Sequence, residues 1–129
     1  MPAPKKFKVP PNEKLGAKQN RFGLMQAYWR IWVEENYPNY QLTKGDAFRD
    51  PRVFGAVGIA KPGGYGRASS LHKMRLAQDW NLIIDGVFQQ SSEAHREIGE
   101  AWESMSEDAS SGVSFNDGNH YSLKHGGRR

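Results

Sequence analysis

His72, Asp79 and His120 are the residues of this chain whose types and spacing could do chemistry. The first two lie in Ser70-Leu71-His72-Lys73-Met74-Arg75-Leu76-Ala77-Gln78-Asp79, and the third belongs to Asp117-Gly118-Asn119-His120-Tyr121. Two imidazoles and one carboxylate make a three-ligand set suited to catalytic Zn²⁺, with a fourth position left for water. Zinc lowers the pKa of such water to about 7. Asp117, three residues before the last ligand, could take the water's proton and deliver it to a leaving amine. An amide under attack gathers negative charge on its oxygen, and Arg49 is the candidate to stabilise that charge or grip a substrate carboxylate. The set points to a small metal-dependent hydrolase. Each member also has a plainer reading. His72 alone reads as a structural histidine, Asp79 with Asn81 as a turn-capping pair, Asp117-Gly118-Asn119 as an ordinary turn, and Arg49 as a surface ion-pair partner.

The elements that must position these groups fit one domain, since 129 residues are enough for one and no more. Cysteine is absent, which excludes disulfides, thiolate ligands and a cysteine nucleophile, so any metal rests on His and carboxylate. A net charge of +4 favours acidic partners such as nucleic acid, anionic membrane surfaces or bacterial wall. The positive residues are scattered, however, apart from Lys5-Lys6-Phe7-Lys8 and Arg128-Arg129. The N-terminus has basic residues with no apolar stretch after them and does not read as a secretory signal. No apolar run approaches the roughly 18 residues of a membrane span, so stable membrane insertion is not expected. The chain is expected to stay in the cytoplasm of the cell that makes it unless something else lets it out.

Residues 1–13 hold four prolines and three lysines and read as a flexible basic arm, followed by a single catalytic domain over 14–129. Phe22, Met25, Trp29, Trp32 and Val33 recur at helical spacing, which predicts a helix from about Leu15 to Asn36, and Pro38 blocks its continuation. Tyr40 to Thr43 reads as a short strand leading to Gly45-Asp46-Ala47-Phe48-Arg49. Residues 50–70, with two prolines and five glycines, read as a loop and a flap beside the site. Gly63-Gly64-Tyr65-Gly66 lacks the lysine-serine ending of a phosphate loop. Leu76 to Ile84 reads as a strand with Ala77, Asp79 and Asn81 on one face, Asp85-Gly86 as a hairpin turn, and Val87-Phe88 as the return strand. Ser91 or Ser92 caps a second helix that buries Ala94, Ile98, Ala101, Trp102 and Met105, with Glu97, Glu100 and Glu103 on its wet face. His95 is expected on its outward side, in solvent. Ser106 to Gly112 reads as a polar loop, His120 to Lys124 as a last strand, and His125 as either a supporting residue or tail. The order helix, strands, helix, strand predicts an α+β fold.

Ser70-Leu71-His72 through Ala77-Gln78-Asp79, then Asp117-Gly118-Asn119-His120-Tyr121, resembles the zinc D-alanyl-D-alanine carboxypeptidase and L-alanyl-D-glutamate endopeptidase family. The resemblance runs from about Tyr40 to Lys124 and is nearest to short phage-encoded endolysins. It implies a Hedgehog/DD-peptidase-like fold, in which helices pack on a small antiparallel sheet. It also implies that His72, Asp79 and His120 bind Zn²⁺, Asp117 is the base, Arg49 is an electrostatic helper, and Ser70 supports the first ligand or touches substrate. The implied substrate is the stem peptide of bacterial peptidoglycan, cut during host cell lysis after release from the host cytoplasm through a separate pore protein; a monomer is the default expectation. Two positions depart from the family pattern. Arg75 stands where many members have Gly, and Ser110-Ser111-Gly112 stands where they carry Trp-Gly-Gly, which bears on the substrate-pocket wall.

Three other readings compete. A D-alanyl-D-alanine carboxypeptidase or dipeptidase of the same chemistry would need a dedicated cation for a free carboxylate, such as Arg49 or Arg67. A non-enzymatic basic binding protein draws some support from Tyr65-Gly66-Arg67, but no nucleic-acid motif or basic stripe accompanies it, so nucleic acid is not the expected partner. A glycosidase would pair Glu97 with Glu100, which a solvated helix face explains more simply.

Overall fold

The computed structural model describes residues 2–45 and 71–129. Helix α1 spans Leu15–Asn36 and helix α2 spans Arg96–Glu103. Strands β1 (Tyr40–Lys44), β2 (Ala77–Ile84), β3 (Val87–Phe88), β4 (Ala109–Ser111) and β5 (His120–Leu123) form one antiparallel sheet in the order β1-β2-β5-β4. The two-residue β3 also pairs with β2. The fold is α+β with a small open sheet, as the element order implies.

Strand β2 is central because both its edges are used. β1 pairs along its far half, from Trp80 opposite Lys44 to Ile84 opposite Tyr40. β5 pairs along its near half, from Ala77 opposite Ser122 to Asp79 opposite His120. The β2–β3 hairpin turns at Asp85 and Gly86, both with positive φ, which is the local twist a two-residue hairpin needs.

Alternation along the strands separates two chemistries. Trp80, Leu82, Tyr121 and Leu123 enter the core and pack against α1. Trp29 is the hub of that core. It is fully buried, its ring lies 4.5 Å from Tyr121 and 6.0 Å from Trp80, and its indole N–H donates to the Ile98 carbonyl oxygen at 2.8 Å. Trp102 similarly donates to the Ser122 carbonyl oxygen at 3.1 Å, tying α2 to β5. Each such buried aromatic contributes about 1.5–3 kcal/mol through area removed from water. The opposite face of β2 and β5 carries Asp79, Asn81 and His120.

The N-terminal segment lies against the helices. The Phe7 N–H donates to the Met105 carbonyl oxygen, the Phe7 ring packs edge-on to Tyr28, and Trp32 donates to the Pro2 carbonyl oxygen. Arg21, buried in α1, clamps Glu13 at 2.8 Å and Asp108 at 2.6 Å. Lys18 reaches the Lys124 carbonyl oxygen and His125 Nδ1, which places His125 in this charged cluster.

Two local expectations are corrected. The stretch expected as a polar loop contains β4, whose small side chains are buried between α2 and β5. His95, expected in solvent, is 2 % exposed and its Nδ1 lies 2.8 Å from the Tyr121 hydroxyl. The reason is a tight 3₁₀ turn over Ser92–His95, capped by the Ser91 hydroxyl, which precedes α2 and turns His95 inward.

Burial holds the His95 pKa down at about 4, so the ring is neutral near pH 7. Above pH 6.5 it is neutral in both folded and unfolded chains. Below that, the unfolded chain takes up a proton that the folded chain refuses, so stability falls as pH drops from about 6.5 to about 4. Urea unfolding in the presence of chelator should lose about 3 kcal/mol over this range, and His95→Gln should flatten that slope.

Candidate metal centre

The centre is set by the pairing of β2 with β5. The Trp80 N–H donates to the Asn119 carbonyl oxygen at 2.8 Å, and the Leu123 N–H donates to the Leu76 carbonyl oxygen at 3.0 Å. Alternation between these bonds leaves Asp79 and His120 as a non-hydrogen-bonded pair, the kind whose side chains come closest. His72 arrives from the turn that precedes β2, where the Met74 and Leu76 N–H groups both donate to the Leu71 carbonyl oxygen. Arg75 takes a positive φ to complete that turn.

The three side chains converge. His72 Nε2 lies 3.3 Å and His120 Nδ1 lies 3.5 Å from the same oxygen, Asp79 Oδ1. The imidazoles are 5.2 Å apart between centroids and inclined at 69°. One donor atom from each of the three residues falls within 4.8 Å of the others, close enough to hold a metal ion. All three are largely withdrawn from water, with side-chain exposures of 3 %, 17 % and 8 % for His72, Asp79 and His120.

Two observations fit these residues to a cation. Asp79 Oδ1 is buried and accepts no hydrogen bond, the only carboxylate oxygen in that condition among the described residues. Such an atom is costly unless something positive satisfies it. Second, His120 Nε2 lies 3.1 Å from the backbone oxygen of Arg129. A carbonyl oxygen only accepts, so Nε2 carries a proton, and the contact orients the ring with Nδ1 toward Asp79. Burial opposes ionisation of the Asp79 carboxyl, and His120 and His72 beside it outweigh that cost, holding its pKa at about 2. Asp79 is therefore an anion at neutral pH.

Asp117 is exposed on the turn into β5 and is not among the converging donors. Its backbone is firmly held. The Asp117 N–H donates to the Gly112 carbonyl oxygen at 2.8 Å, and the His120 N–H donates to the Asp117 carbonyl oxygen at 2.9 Å, so base candidate and ligand share one tight turn. That turn requires close approach: a Cβ on Gly112 would run into the Asp117 carbonyl oxygen, and one on Gly118 into the Ser92 backbone. Arg49, Arg67 and Ser70 lie outside the described residues, as does the whole stretch 50–70 that the sequence leads one to expect as a loop and flap.

Sequence reasoning does not find Phe115 or Arg129. Phe115 presents its ring to His120 at 5.9 Å and has the Arg129 guanidinium 4.9 Å above it. Gly126 and Gly127, both at positive φ, make the reversal that returns Arg129 to His120, and that dipeptide is itself a hairpin signal.

Among known proteins, no family model, no curated protein and no solved structure matches this chain. Titrated with Co²⁺ as a spectroscopic probe, the protein should bind one ion per chain with visible d–d absorption. Asp79→Ala should weaken that binding by about tenfold or more, and unchanged affinity in this variant would remove the assignment.

Proposed function

We propose that this chain is a zinc peptidase that hydrolyses a peptide bond of bacterial peptidoglycan, as an endolysin of the L-alanyl-D-glutamate endopeptidase kind. The observation that carries the reading is the convergence of His72, Asp79 and His120 around a buried carboxylate oxygen that no hydrogen bond satisfies. Two imidazoles and a carboxylate, with no thiolate, suit zinc and leave one position open, as catalytic sites do. The small antiparallel sheet with packed helices is compatible with the Hedgehog/DD-peptidase-like peptidase fold.

When bound, zinc supplies acidity to a water molecule and polarises the scissile carbonyl. The rest falls to the chain itself. Asp79, anionic and buried, neutralises charge at the centre and is fixed in direction by the β2 ladder. The contact from His120 Nε2 to the Arg129 backbone oxygen holds that imidazole in its donating tautomer. Asp117 stands in solvent at the rim, on the turn that ends in His120, where it can take the proton of the attacking water and return it to the leaving amine. Arg49 is assigned to the negative charge of the substrate or of the tetrahedral intermediate. Phe115, beside His120, gives the site an apolar wall.

Turbidity of outer-membrane-permeabilised Gram-negative cells tests the proposal. Wild type should lyse them, Asp117→Ala should lose about 100-fold or more of the rate, and His120→Ala or chelation should abolish it, with Zn²⁺ restoring the chelated sample. Lysis that persists in both variants and in chelator would contradict the reading. Stoichiometric zinc without lysis would overturn the substrate and leave the metal site standing.

A further inference from the structure

On the edge of β2 away from β1, two strands follow one another and then part. β5 covers Ala77 to Asp79, and β3 covers Ile83 and Ile84. The last bonds on either side, Trp80 N–H to Asn119 O and Gln89 N–H to Leu82 O, are both 2.8 Å. Between them, at Asn81, opens a cleft of about 290 Å³. Asn81 lies two residues beyond Asp79 on the same strand face, about 6–7 Å along the chain, and Asp117 lines the cleft as well. The cleft and the metal centre therefore share a wall.

Apart from the Asp117 carboxylate, its side chains are uncharged or neutral and rich in groups that both donate and accept. No Lys or Arg is among its described lining residues. Asn81, Gln90, Asn116 and Asn119 are among its lining residues, and their carboxamides make no hydrogen bond to another described side chain. His95 closes one end and is already engaged with the Tyr121 hydroxyl. At the rim stands Phe88, with 54 % of its surface exposed and no ring of the described residues stacked on it. Free carboxamides suit hydroxyl groups, because each partner both gives and takes a hydrogen bond. An exposed ring suits the apolar face of a pyranose.

We propose that this cleft binds a neutral N-acetylated amino sugar and seats it beside the scissile bond. The inference rests on the peptidoglycan reading, in which the stem peptide hangs from a strand of such sugars. The polar cleft would then select peptide still attached to glycan over free peptide, and Asn81 and Phe88 would act as positioning residues through the sugar.

The test is a titration of ¹⁵N-labelled protein with N,N′-diacetylchitobiose, which needs no catalysis. Saturable shifts at Asn81, Phe88 to Ser92 and Asn116 to Asn119 are expected, with a Kd of roughly millimolar order. Phe88→Ala and Asn81→Ala should each weaken binding by about tenfold while the rest of the spectrum stays in place. Both residues lie outside the core, so the variants should remain folded. No saturable shift, shifts confined elsewhere, or equal affinity in both variants would overturn the proposal, as would saturation of the same residues by a neutral blocked dipeptide in place of the sugar. Stem-peptide cleavage without sugar binding overturns this inference alone. Sugar binding at these residues without cleavage supports the cleft and removes the peptidase reading.

Discussion

The rest of the centre depends on the register between β2 and β5. Side chains alternate with period two, so a slip of one residue would send His120 into the core and bring Tyr121 out opposite Asp79. Register is held by what lies on the other face. Tyr121 packs on Trp29, Trp102 anchors to the β5 backbone, and Trp80 and Leu82 fill the space above α1. An apolar core with its own packing demands thus fixes a polar constellation on the opposite face of the sheet.

That constellation suits a cation. A buried carboxylate oxygen lies between two imidazole nitrogens at 3.3 and 3.5 Å, with no hydrogen bond of good geometry to either. Burial of an unsatisfied charged acceptor costs several kcal/mol in general, and folded chains retain such groups mainly where function requires them. The backbone contact to His120 Nε2 points the same way, since it turns the opposite nitrogen toward Asp79. The centre is arranged as a set of donors awaiting charge.

Much of this is legible in the sequence, because it follows from period and turn chemistry. The apolar stripe through Phe22, Met25, Trp29 and Val33 marks α1, and Asp85-Gly86 marks the hairpin. His72, Asp79 and His120 can be grouped from residue type and spacing, because strands fix the directions of Asp79 and His120 and His72 stands at the entry to the first of them. What escapes such reading depends on packing between distant elements. Ala109-Ser110-Ser111 has no β-branched or aromatic residue, and it is a strand because small side chains let it lie close under α2, where Gly99 faces Ser111. A continuous α-helix would put His95 in solvent, whereas one 3₁₀ turn moves it inward to Tyr121. The contact of Arg129 with His120 likewise joins segments whose proximity only the folded chain reveals.

The most direct measurement of the central claim is anomalous diffraction at the zinc absorption edge from crystals grown with zinc. The expected result is one strong peak per chain, about 2.0–2.2 Å from Asp79 Oδ1, His72 Nε2 and His120 Nδ1. A peak bound by other residues, or well-ordered His72, Asp79 and His120 side chains with no peak among them, would contradict it.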